Sequence, residues 1–166
     1  MKRGERGFSL IELLIVVTII LIIAAIAIPS FLRAKIQANE ASAVASVRRI
    51  STAEVQFFVQ HGIGYAPLLN LGGAGPCVPS TATACLLDDL LATGAKSGYA
   101  LTSPTPGALG TALAPNNNFS ISAVPMAVGL SGQRSFCMDQ TAVIRFDSTG
   151  APPPNPCDNG GLSAIQ

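Results

Sequence analysis

Glu12 is the only charged residue between Gly7 and Arg33, and it stands at the mouth of a run made to leave water. From Leu13 to Ile28 every residue is apolar except Thr18. A carboxylate in a membrane-spanning segment costs a few kcal/mol unless it has a partner, so such acids are read first as functional. The chemistry open to Glu12 is charge pairing, and the cation must come from elsewhere. Just ahead of it, Lys2, Arg3 and Arg6 form a basic leader, and Gly7 lacks a side chain that would keep a protease from the bond to Phe8. The other reactive side chains are sparse. His61 is the single histidine and reads as a helix-end residue, while Asp139, Asp147 and Asp158 are too dispersed for a calcium loop. Asp158-Asn159-Gly160 reads as a turn, and Asn118-Phe119-Ser120 fits a glycosylation sequon, a short pattern.

Four cysteines, Cys77, Cys85, Cys137 and Cys157, all lie beyond the apolar run, with no CxxC among them. An even count, with one histidine in the chain, favours disulfides over zinc. Three pairings are possible, and proximity favours Cys77 with Cys85 and Cys137 with Cys157. No metal and no cofactor is expected.

The element that must carry Glu12 is a helix. From Phe8 to Leu32 it would extend about 37 Å, enough to cross about 30 Å of hydrocarbon. The basic leader fits retention on the cytoplasmic side. Pro29 removes one intrahelical hydrogen bond, which predicts a kink or loosening near residues 25 to 29. Between Arg33 and Gln60 there is no proline or glycine, and Val44, Val47, Val55 and Phe58 recur at helical spacing, with Ile36, Ile50 and Phe57 nearby. This predicts an amphipathic continuation that packs on a globular part, stopped at His61-Gly62. Arg33, Lys35, Arg48 and Arg49 read as a solvated face.

Beyond residue 61 the texture changes, with 14 of the 16 glycines and 11 of the 12 prolines. Asn70 to Ser80 reads as a loop and Ala84 to Leu91 as a short helix. Phe119 to Ala123 alternates as a half-buried strand, Ser135 to Met138 and Ala142 to Phe146 flank a hairpin turn, and Tyr99 to Thr102 adds a strand. Helix followed by strands predicts an α+β fold, an antiparallel sheet packed on the amphipathic helix.

The basic leader, Gly7, Phe8-Ser9-Leu10-Ile11-Glu12 and the apolar helix resemble the type IV pilins, including the pseudopilins of type II secretion, through about Val59. The resemblance implies that a membrane prepilin peptidase cuts between Gly7 and Phe8 and methylates the new amine of Phe8. Glu12 then becomes the fifth residue of the mature chain. A positive amine on Phe8 of one subunit and the Glu12 carboxylate of its neighbour would attract strongly at low dielectric and set axial register in a filament. The alternative for Glu12 is an acid that snorkels from a helix end. Pro29 matches a proline at which such helices melt on assembly, with a simple kink as the alternative. Cys137 and Cys157 resemble the pair bounding a C-terminal loop in many pilins, and Arg134 to Asp147 is similar to a pilin hairpin. Phe8, Phe31, Phe57 and Phe58 resemble aromatic positions proposed to conduct electrons, although core packing explains them better.

The division that follows is a leader at 1–7, a membrane and filament-core helix at 8–32, an amphipathic helix at 33–60 and a disulfide-bonded head at 61–166. The expected function is that of a non-enzymatic subunit of a homo-oligomeric helical filament. Its partners would be the inner membrane, the prepilin peptidase, an assembly ATPase and platform proteins. It would be stored in the inner membrane and then carried in a filament outside it. Two other readings stay open. One is a minor pilin or pseudopilin of a secretion or DNA-uptake system. The other is a secreted binding domain or envelope enzyme, because Ala25-Ile26-Ala27 also fits a signal cleaved after Ala27, which Glu12 opposes. The 166-residue chain has a net charge of +1, and loss of residues 1–7 removes three bases and one acid to leave −1. That balance does not favour nucleic acid.

Overall fold

The computed structural model describes residues 8–105, 107–155, 157 and 161–165; the leader 1–7 and the expected turn at Asp158 to Gly160 lie outside the described residues. The chain divides into two units, Met1–Lys35 and Ile36–Gln166. A single helix, α1 (Leu10–His61), runs unbroken through Pro29 and contributes to both.

In the first unit, no residue from Phe8 to Lys35 is buried, and Ala24 alone is half-covered. A helix apolar on all sides with none of its described residues buried is in the condition of a segment suited to lipid or to other helices. It is long and apolar enough to cross a membrane.

In the second unit, α1 buries Glu40, Ala43, Ser46, Val47, Ile50, Ala53, Glu54 and Phe57. Steps of three and four residues keep these on one stripe. The expected face is therefore partly wrong. Val47 is buried, but Val55 is 50% and Phe58 38% exposed, and Val44 is only half-covered. The actual face mixes Ile50 and Phe57 with the small residues Ala43, Ser46 and Ala53. The helix ends at His61, where Gly62 adopts φ +66° and donates its N–H to the Phe58 carbonyl at 3.0 Å. That left-handed residue is a standard helix stop.

Two one-turn helices follow, α2 (Leu68–Leu71) and α3 (Asp89–Ala92). The helix expected over Ala84 to Leu91 is reduced to α3. The backbone N–H groups of Ala84, Cys85, Leu86 and Leu87 donate instead to the carbonyls of Asn70, Gly72 and Leu71, and Cys85 takes φ +57°. Asp88 starts α3 by accepting the Leu91 N–H at 2.7 Å.

The sheet is a six-stranded antiparallel meander in chain order: β1 (Ala95–Lys96), β2 (Tyr99–Thr105), β3 (Ser120–Pro125), β4 (Ser135–Asp139), β5 (Arg145–Asp147) and β6 (Ser163–Ala164). Tyr99, Leu101, Ile121, Ala123, Phe136 and Met138 join Val47, Ile50 and Phe57 of α1 in one core. All five residues of β4 are buried, so both its faces are covered. Phe136 and Met138 face the core; Cys137 is bonded to Cys157, and Ser135 Oγ donates to the Ala151 carbonyl. The expected hairpin pairs β4 with β5, Phe136 opposite Phe146, but Ala142 to Ile144 lie outside the strand. The turn consumes them: Ala142 sits at φ +60° and donates to the Asp139 carbonyl at 3.0 Å.

Candidate functional site

Gly7 lies outside the described residues, so the geometry of the N-terminal motif begins at Phe8, which is 75% exposed. The Ser9 carbonyl accepts the Leu13 N–H at 3.2 Å, which makes Ser9 the residue that opens α1. Ser9 N–H points to Glu12 Oε2 at 3.5 Å, the returning half of a capping box. At that length the contact is weak and leaves the carboxylate nearly free. Thr18 behaves differently. Its hydroxyl donates to the Ile15 carbonyl at 2.7 Å, so its polarity is satisfied within its own helix. Glu12 forms no ion pair among the described residues.

A second polar constellation lies in the Ile36–Gln166 unit, where no sequence signal was drawn. Glu40 Oε1 accepts the backbone N–H groups of Gln133 and Arg134 at 2.9 and 3.1 Å. Its Oε2 accepts Nε and Nη2 of Arg134 at 2.9 and 2.7 Å, a two-pronged pair. The Arg134 guanidinium lies over the rings of Phe136 and Phe146, at 5.7 and 5.3 Å from their centroids. Tyr99 Oη donates to the Arg134 carbonyl at 2.8 Å. A side chain at Gly132 would strike the Tyr99 ring, so glycine is required there by space. Burial pushes the Tyr99 hydroxyl up to about 12, aided by the Glu40 charge and opposed by Arg134.

Glu54 is the opposite case, a fully buried acid with one neutral donor. The Ala66 N–H reaches Oε2 at 2.9 Å, and Oε1 has no hydrogen-bond partner. Both acids were legible in principle. Positions 40, 43, 47, 50, 54 and 57 repeat with alternating three and four spacing, a pattern that marks the buried stripe and places Glu40 and Glu54 on it.

The remaining candidates are scattered. Arg48 and Arg49 are exposed on α1, and Arg49 Nη1 lies 3.7 Å from Asp88. Shallow grooves of about 500 and 400 Å³ flank Arg48, one reaching Met138 and Ile144, the other Val44 and Phe136. His61 packs its ring on Phe57 at 4.5 Å. Asp139 holds the Thr141 N–H at 2.9 Å and Asp147 the Thr149 N–H at 2.7 Å, both as local turn acceptors. Among the described residues no three His, Cys, Asp or Glu side chains gather as metal ligands. Cys77 is bonded to Cys85, with Cα atoms 6.0 Å apart, and Cys137 to Cys157 at 5.9 Å. What this arrangement can do chemically is bind by shape and charge, and at the head of the apolar segment Glu12 is a carboxylate with no ion pair among the described residues.

Residues 2–28 match the family described as the prokaryotic N-terminal methylation motif. The chain is also similar to the type IV major pilin protein PilA of Myxococcus xanthus (strain DK1622), at 34% identity over 126 residues, 61% of this chain and 56% of that protein. The match thus spans little more than half the length of that relative. No solved structure matches the chain with significance.

Proposed function

We propose that this type IV pilin homologue, which carries a prepilin methylation motif, is a structural, non-enzymatic subunit of a type IV pilus-like filament. The observation that carries the reading is the bare apolar segment: from Phe8 to Lys35 nothing is buried, so the unit awaits lipid or other copies of itself. Processing between Gly7 and Phe8 would leave an amine, then methylated, on the first mature residue. That cation and the nearly free Glu12 carboxylate of a neighbouring subunit would pair where water is scarce. The pair would stagger subunits along the axis, while the apolar helices exchange the inner membrane for a filament core with little net exposure to water. A prepilin peptidase, an assembly ATPase and platform proteins would serve the two transfers.

Mass spectrometry of purified surface filaments and of the mature N-terminus tests this. The expected result is a filament composed mainly of this chain, starting at methylated Phe8. A mature chain that starts at Ile28 would sink the reading. Glu12→Ala should be cleaved and methylated normally yet fail to enter filaments; wild-type filament yield from that variant would remove the axial-register role.

A further inference from the structure

The loop between β3 and β4 displays Met126, Val128 and Leu130 at 60, 50 and 72% exposure. Elsewhere in the unit exposed apolar residues such as Leu69, Val78 and Leu113 stand singly in sequence, whereas these three share one loop, which points to a contact surface. The loop is also tightly closed. Met126 N–H donates to the Gly98 carbonyl at 2.9 Å, Gly129 N–H to Gly132 at 2.8 Å, and the Leu130 and Ser131 N–H groups to Ala127 at 3.1 and 2.9 Å. Ser131 Oγ accepts the Ala127 N–H at 3.0 Å and donates to the Ala127 carbonyl at 3.1 Å. Backbone groups paired in this way lower the cost of approaching the lipid interface, which an open loop with unpaired N–H and C=O groups would pay in full.

Two further features identify the medium. From Met126 to Gln133 the loop has no charge. It is also tied to the start of its unit: Asn39 Nδ2 donates to the Ser131 carbonyl at 2.8 Å, and Glu40 accepts the N–H groups of Gln133 and Arg134. Asn39 stands seven residues beyond Leu32, at most about 25 Å of chain in any conformation, so the covalent tether keeps the loop near the bilayer that would hold residues 8–32. Arg33 and Lys35 lie on that tether and suit anionic headgroups.

We propose that the Met126 to Leu130 loop is a second, reversible membrane contact, its apolar side chains entering the lipid interface while the subunit is stored in the bilayer. The proposal rests on reading residues 8–32 as a membrane anchor. Leaving the membrane for a filament would then require release of this loop as well as of the helix.

The chain contains no tryptophan, so Leu130→Trp supplies a single reporter. The full chain carrying it, reconstituted in vesicles of phosphatidylethanolamine and phosphatidylglycerol, should emit to the blue of Leu113→Trp. It should also lose emission when the acyl chains are brominated near the headgroup. Leu113, in another loop, is 99% exposed and serves as the water-exposed reference. Met126→Trp provides a second reading from the same loop. Emission from both loop variants equal to that of Leu113→Trp, with no quenching, overturns the proposal, as does a blue shift seen only in assembled filaments, which would assign the loop to a second copy of the chain. Co-flotation of the protein with the vesicles reports the anchor separately, so a failed anchor and a failed loop contact are told apart.

Discussion

Glu54 and Glu40 lie on the same stripe of α1 and carry opposite pH dependences. At Glu54, burial pushes the carboxyl up to about 8, only partly opposed by the Ala66 N–H. A folded-state pKa above the unfolded value of 4.5 means that the native state holds the proton longer. Stability from this group is therefore full below pH 4.5 and is lost as pH rises toward 8, by up to about 1.4 kcal/mol per pH unit within that window. Glu54→Gln keeps an oxygen for Ala66 and cannot ionise. Melts of the detergent-solubilised chain should fall from pH 5 to 8 for the native sequence and stay flat for the variant, and an unchanged slope would place the titration elsewhere. At Glu40, burial acts upward too, but the Arg134 side chain, the N–H groups of Gln133 and Arg134 and the Arg134 charge together hold the pKa below 4.5. This contribution is present above pH 4.5 and lost as pH falls through the lowered value. Arg134→Ala leaves the Glu40 carboxylate buried with only backbone donors, and chemical denaturation at pH 6 should register a loss of about 3 kcal/mol.

At the level of elements, β4 depends most on distant chain. It is buried on both faces, and the segment that covers its outer face is held by Cys137–Cys157 across a separation of 20 residues, against 8 for Cys77–Cys85. Replacing Cys137 and Cys157 with serine should cost about 2–4 kcal/mol in denaturant unfolding, and more than the same change at Cys77 and Cys85, because the longer loop restricts the unfolded chain more. Equal losses would mean that loop length is not what matters. The long helix and its glycine stop were legible because they rest on a continuous apolar run, on the proline- and glycine-free stretch from Arg33 to Gln60 and on one left-handed residue, all local signals. The strand around Ile121 was legible from its alternation, and that around Phe136 from the hairpin turn that follows it. The helix over Ala84 to Leu91 was misjudged because its N–H groups go to Asn70, Leu71 and Gly72, partners that no local pattern reveals. The stripe on α1 was partly misassigned for a related reason: Val44, Val55 and Phe58 outweigh Ala43 and Ala53 on any hydrophobicity count, while the buried stripe holds the alanines. The motif at Ser9 to Glu12 was legible as chemistry, but the weak return contact of Glu12 to Ser9 is a matter of distance and could only be measured.

Over the whole molecule, the two units draw on different sources of stability. The core begins at Ala43 and includes nothing from the apolar segment, and the buried acids, both disulfides and the entire sheet belong to Ile36–Gln166. Residues 8–35, none of them buried, are therefore expected to add nothing to the stability of that unit. Removing residues 1–35 should leave a water-soluble protein with an unchanged melting temperature and the same fall in stability between pH 5 and 8, because every group responsible is retained. Circular dichroism melts of the two forms, the full chain in detergent and the truncated chain with and without that detergent, make the comparison. A truncated chain that melts well below the full one would show that the apolar segment supports the core after all. Equal melting means that selection on residues 8–35 answers to lipid and to neighbouring helices alone, so that segment can keep an acid such as Glu12 that no packing requirement of the core would retain.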